Sequence, residues 1–172
     1  MIKLVPEFEK RNCKVIGLSC DDPQRNREWE KDITSNAGYH EDHLPYPIIS
    51  DEKREAAVQL GMLDAEEKDA QGMPVTARCV FIVGPDNRMK LSLLYPATTG
   101  RNFDEILRAL DSLQLTMYHK VATPVDWKKG DDVVVIPTIK NEDLDKLFPK
   151  GVTIKKLPSG KQYLRMTPQP NI

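Results

Sequence analysis

Two arginines are the residues whose setting points most directly to chemistry. Arg101 lies in YPATTGRNFDEI (95–106), where an apolar run stops at a proline and passes through a Thr-Thr-Gly turn. A stretch with the start signals of a helix then follows. A helix N-terminus already favours an anion, and an adjacent guanidinium strengthens that preference. Arg78 opens TARCVFIVGPD, the strongest strand pattern in the sequence, among small and apolar neighbours. A guanidinium in such a run is costly unless an anion or dense acceptors meet it. On pattern alone each arginine keeps a plainer alternative. Arg78 suits a strand end paired with a carboxylate from the EEKD stretch, and Arg101 suits a surface turn. Thr98 and Thr99 either donate hydrogen bonds or only shape the loop.

The cysteines offer less. Cys13, Cys20 and Cys79 form no CxxC pair and leave an odd count, which argues for a reducing compartment over a disulfide framework. Cys13 follows a helix end and Cys79 lies inside a strand, places where thiols are usually inert. Cys20, where a strand meets a helix start, is the best nucleophile candidate of the three, yet no His or Arg stands beside it in sequence. His40 and His43 have i, i+3 spacing in YHEDHLPYP without a cysteine pair nearby, so a proline-flanked loop is expected there, not a metal site. No GxSxG elbow, P-loop or GxGxxG motif is present.

These residues need elements to position them. VPEFEKRN reads as the last turns of a helix, and KVIGLSC (14–20) as a short buried strand. DDP then gives an N-cap with Pro23 at the first helical position, opening a helix to about Ser35 with Trp29 and Ile33 on one face. YPIIS is a second short strand, Asp51 a cap for a helix through EKREAAVQLGM, and DAEEKDAQGMP a charged loop. TARCVFIVGPD and RMKLSLLYP form a hairpin around GPDN. Asn102 and Glu105 have capping-box spacing before an apolar stripe of Phe103, Ile106, Leu107, Leu110 and Leu113. This order means α/β. A boundary is expected near residues 117–125, giving a domain over 1–118 and a small β-rich extension over 119–172.

The chain has 172 residues with a net charge of −1. Its composition is that of a globular protein, without the long apolar run of a membrane span or an apolar signal-peptide core. A cytoplasmic location is expected. Residues 146–172 carry six basic residues and no acid, leaving 19 basic against 26 acidic residues elsewhere. Lys146, Lys150, Lys155, Lys156, Lys161 and Arg165 are interleaved with Pro, Gly and strand formers, so a solvated hairpin face is expected, not a nucleic-acid site. Contact with membranes stays open. The first helix turns precede KVIGLSC with no earlier strand to pair through a crossover. The chain therefore reads as beginning part-way through a βαβ unit, with Met1 an internal methionine.

GMPVTARCVFIVGPD, LSLLYPATTGRNFDEILRALDSLQLT and VATPVDWKKGDDVVVIPTI resemble the one-cysteine peroxiredoxins of the peroxiredoxin-6-like class, as do PYPIISD, LGMLDAEEKD, LFPKGV, LPSGKQYLR and TPQP. The resemblance runs through essentially the whole chain. It implies a thioredoxin-like fold lacking its N-terminal strands, with a C-terminal extension. The implied protein is a homodimer, needs no cofactor, and reduces hydrogen peroxide and organic or phospholipid hydroperoxides with a thiol reductant such as glutathione. It implies that Arg78 and Arg101 bind the thiolate and the peroxide oxygens. The family nucleophile, a cysteine in a PVCT-type motif, has no match in these residues, and Cys13, Cys20 and Cys79 do not align with it. The histidine near that nucleophile has no match either. Of the Ser, His and Asp behind a phospholipase A2 activity in some class members, only the acid has a match, Asp86. The expectation is a fragment, a truncated gene model or a shortened isoform, inactive alone. The alternative is a non-catalytic homologue that binds a full-length peroxiredoxin through the dimer interface.

Overall fold

The computed structural model of the chain describes residues 1–171. It falls into two compact units, Met1–Phe103 and Asp104–Ile172.

In the first unit a 3-10 turn (Ile2–Leu4) runs into α1 (Val5–Glu9), which buries Val5 and Phe8. β1 (Gly17–Ser19) follows, then α2 (Pro23–Ala37). The predicted start of α2 is found: the Asp22 carboxylate accepts from the Gln24 and Arg25 amides, and Pro23 occupies the first turn. Gly38 ends the helix in the left-handed region at φ 65°, which glycine adopts without Cβ strain. The face it buries is not the expected one. Trp29 is 54% exposed, whereas Asn26 and Thr34, eight residues apart, are buried. The Asn26 amide donates to Ser50 Oγ at 2.7 Å, and this polar tie fixes the helix rotation in place of the Trp29–Ile33 stripe.

Ser50 ends β2 (Ile48–Ser50), which pairs in parallel with β1 from Gly17↔Ile48 to Ser19↔Ser50. α3 (Glu55–Gln59) starts later than Asp51 suggested. Asp51 still serves its beginning, because its carboxylate accepts from the Ala56 and Ala57 amides at 3.2 and 2.7 Å. Arg54, just before α3, has φ 58°, an unusual value for a long side chain. Its guanidinium reaches Pro74 O and Asp69, stapling the next segment to the helix start.

That segment corrects the sequence reading most clearly. The expected charged loop is an antiparallel hairpin of β3 (Leu63–Lys68) and β4 (Pro74–Thr76). Asp69 builds its turn by accepting from the Gln71 and Met73 amides, with Gly72 at φ 77°. The run of acids hid the strand, since β propensity yields to cross-strand pairing and turn chemistry. β5 (Arg78–Val83) and β6 (Met89–Tyr95) form the predicted hairpin, in register from Arg78↔Tyr95. Among the described residues β1–β2, β3–β4 and β5–β6 are three separate two-stranded sheets.

The second unit is built around a single sheet. α4 (Phe103–Tyr118) buries Ile106, Ala109, Leu110 and Leu115, close to the predicted stripe. β7 (Val121–Ala122), β8 (Val133–Val135), β9 (Thr153–Ile154) and β10 (Arg165–Thr167) form one antiparallel sheet in the order β7-β8-β10-β9. A 3-10 turn (Asn141–Asp143) and α5 (Leu144–Leu147) close the connection. Leu115, Trp127, Val133, Val135, Leu144 and Phe148 make the core. Arg165 is not on the solvated basic face expected for it. It is 4% exposed, and it donates to Ile139 O (2.6 Å), Asn141 Oδ1 (3.1 Å) and Ile136 O (2.8 Å). The guanidinium thereby ties down the turn after β8, where the Ile136 carbonyl also accepts from the Ile139 amide at 3.2 Å.

Candidate functional site

The site lies in the first unit, where β5 and the loop after β6 converge. Arg78 is the first residue of β5, across from Tyr95 at the end of β6. Six residues later the loop delivers Arg101, whose Nη1 donates to the Cys79 carbonyl at 3.4 Å. The two arginines, 23 positions apart in sequence, are thereby brought to one strand end. The turn between them is closed by the Thr99 amide donating to Pro96 O at 2.9 Å. Among the described residues neither Thr98 nor Thr99 uses its hydroxyl in a hydrogen bond, so the threonines shape the loop.

Two like charges held together need a reason. Neither Arg78 nor Arg101 has an ion pair among the described residues; the carboxylates of the EEKD stretch do not reach them. Burial of its guanidinium end lowers the Arg101 pKa, and the charge of Arg78 lowers it further. Both residues keep substantial solvent exposure. An accessible guanidinium pair with no ion-pair partner among the described residues can attract an anion or charge developing on an oxygen.

Tyr46, from the PYPIIS segment, belongs to the same neighbourhood and was not singled out by sequence. Burial raises its phenol pKa, while the nearby Arg101 pulls it down. A tyrosine between two prolines just before a strand was the available signal. Cys79 supplies the site with its carbonyl and keeps its thiol buried.

None of the three thiols is activated. Burial raises the pKa of Cys79, opposed in part by Arg101. Burial likewise raises Cys13. Cys20 is raised by burial and by Asp51 and Asp21, against an opposing pull from Arg54. A nucleophilic cysteine needs the opposite shift. Asp86 sits in the β5–β6 turn, where its carboxylate accepts from the Arg88 amide (3.2 Å) and the Lys90 ammonium (2.6 Å). Lys90, chiefly, holds its pKa low. These partners include no serine or histidine. Gly84 lies beneath this pair, and a Cβ there would displace the Lys90 side chain, whose Cε would lie 2.5 Å away. His40 and His43 join no group of three or more potential metal ligands among the described residues.

Residues 1–92 match the AhpC/TSA family, and residues 112–151 match the C-terminal domain of 1-Cys peroxiredoxin. The chain belongs to the peroxiredoxin-6-like, one-cysteine peroxiredoxin family of thiol peroxidases, with the thioredoxin-like α/β fold of that family. It is 64% identical over 169 residues to peroxiredoxin-6 of Gallus gallus, covering 98% of this chain and 75% of that protein. The Homo sapiens peroxiredoxin-6 is 63% identical over the same length and shares. Among solved structures, a cysteine-to-serine variant of the peroxiredoxin 6 of Arenicola marina superimposes with a TM-score of 0.95 at 54% identity, over 99% of this chain and 77% of that one. The yeast mitochondrial 1-Cys peroxiredoxin, described with glutathione and thioredoxin systems, gives 0.81 at 36% identity over 97% and 76%. The chain thus spans about three quarters of the length of these relatives.

Proposed function

We propose that these residues supply the arginine half of a one-cysteine peroxidase site. The reaction is reduction of hydrogen peroxide and of organic or phospholipid hydroperoxides. A thiolate attacks one peroxide oxygen, an S–O bond forms as the O–O bond breaks, and the sulfur becomes a sulfenic acid. The other oxygen departs with the bonding pair and takes a proton to become water or an alcohol. Two thiol groups of a glutathione- or thioredoxin-type reductant then return the sulfenic acid to the thiol. The first displaces water to form a mixed disulfide, and the second releases the thiol and leaves the reductant as its disulfide. Arg78 and Arg101 hold the thiolate and the leaving oxygen, and their uncompensated charge is the observation that carries this reading. Three unpaired thiols suit a reducing compartment, the cytoplasm.

Cys13, Cys20 and Cys79 do not align with the family nucleophile, and burial raises each thiol pKa, so none of the three is assigned that role. Consumption of hydrogen peroxide with dithiothreitol is therefore expected to match that of a variant with all three cysteines replaced by serine. Turnover abolished by Cys20→Ser alone would overturn this.

A second reading, in which the chain binds a full-length peroxiredoxin through the dimer interface, is favoured by the β5–β6 ribbon. It bonds to no further strand among the described residues, and Val83, Met89 and Leu94 on it are at least half exposed. Size-exclusion chromatography of the mixture tests it: co-elution supports it, and separate peaks sink it.

A further inference from the structure

The two arginines come from separate pieces of chain, and one short segment touches both. The Met62 carbonyl accepts from the Ala77 amide at 2.7 Å, immediately before Arg78. Leu63 pairs with Thr76 in the β3–β4 ladder. The Asp64 carboxylate then accepts from the Ala97 amide at 3.4 Å, inside the loop that carries Arg101. We propose that Met62–Asp64 braces the two arginines against each other, and that Asp64 is the positioning residue for Arg101.

The carboxylate is itself held. Its Oδ1 accepts from the Glu66 and Glu67 amides at 3.1 and 3.4 Å, leaving Oδ2 for Ala97. These amide bonds, that to Glu66 first and that to Ala97 next, keep its pKa low. It therefore stays ionised at neutral pH and makes charge-assisted bonds. Asp64 ion-pairs with neither arginine among the described residues, so it orders the loop without neutralising the site. That combination separates positioning from charge compensation. Two contacts tie the loop to other segments, one at Ala97 and one at the Cys79 carbonyl, and the second uses the functional guanidinium itself. Removing Asp64 takes away the first.

The inference rests on the arginine pair being an anion site, so the experiment reads the two separately. Arg78 and Arg101 Nε–Hε signals are followed by NMR during titration with sodium sulfate, alongside amide hydrogen exchange at Ala97. Wild-type protein is expected to show both signals moving with one dissociation constant; if neither moves, the anion-site reading fails. In Asp64→Ala, exchange at Ala97 is expected to rise about tenfold, with sulfate affinity weakened about fivefold and the melting temperature little changed. Asp64→Asn, which keeps an oxygen acceptor, is expected to recover most of both. Unchanged Ala97 exchange in Asp64→Ala overturns the brace whether or not sulfate binds. Faster exchange with unchanged sulfate affinity in a protein that does bind sulfate overturns the positioning role alone.

Discussion

The two units of this molecule handle exposed backbone and apolar surface in opposite ways. In the second unit, four short strands form one antiparallel sheet, and Val121, Val133 and Val135 serve both its ladder and its core. The largest fully buried side chains, Trp127, Leu115, Val133, Val135 and Thr167, all belong to it. The first unit divides its strands among three two-stranded sheets and leaves Ile16, Ile49, Val83 and Leu94 at least half exposed. A two-stranded ribbon is marginal in water without a further partner surface. The most completely buried side chains thus lie in one unit and the candidate site in the other. The arginine pair sits at the end of an open ribbon, where the edge groups of β5 stay available to loops and ligands. Such groups would be sealed in a closed ladder.

This contrast can be broken most directly at Trp127. Its indole is 1% exposed, and its N–H donates to Asp131 O at 3.2 Å. Trp127→Ala is expected to cost about 3–5 kcal/mol in urea unfolding, whereas Ile16→Ala is expected to stay within about 0.5 kcal/mol. Equal costs would mean the first unit has a core as demanding as the second. Arg165 gives the next effect. Arg165→Met removes three hydrogen bonds made by a buried guanidinium and is expected to cost roughly 2–3 kcal/mol, read by the same unfolding curve. A neutral result would show that the VVVIPTI carbonyls find other partners.

Acid gives the smallest effect and sharpens the comparison. The carboxylates held below their ordinary values are Glu7, Asp22, Asp64 and Asp86 in the first unit and Glu105 in the second. Lys10 and then Arg11 lower Glu7, amide bonds lower Asp22 and Asp64, Lys90 lowers Asp86, and Arg108 lowers Glu105. A depressed folded pKa contributes stability that is complete above the unfolded value. It is lost as pH falls through the folded value, here below 4.5 for the glutamates and 3.8 for the aspartates. Amide protection is expected to fail first in residues 1–103 as pH drops below 4. Loss beginning in the second unit would contradict the distribution of these carboxylates.

Sequence legibility followed the range of each signal. Asp22 and Pro23 marked the start of a helix that depends on local capping, while its end at Gly38 came from the structure. The β5–β6 hairpin was visible from its apolar runs and the GPDN turn. β3 was not, because LDAEEK lacks alternation and becomes a strand only by pairing with PVT through the Asp69 turn. Trp29 misled for the same reason: the rotation of α2 is set by Asn26 and Ser50, 24 positions apart.

For the site, the sequence by itself marked Arg78 and Arg101 as candidates for an anion site while leaving a plainer alternative open for each, and determined that no PVCT motif accompanies them in these residues. Residue type and immediate neighbours suffice for that. Only the tertiary structure decided that the two guanidinium groups share one strand end, that Arg165 turns inward, and that Asp64 holds the loop of Arg101. Each of these depends on contacts 20 or more positions apart in the chain, formed where unpaired backbone groups must find partners, and no local pattern records which side chain will meet them.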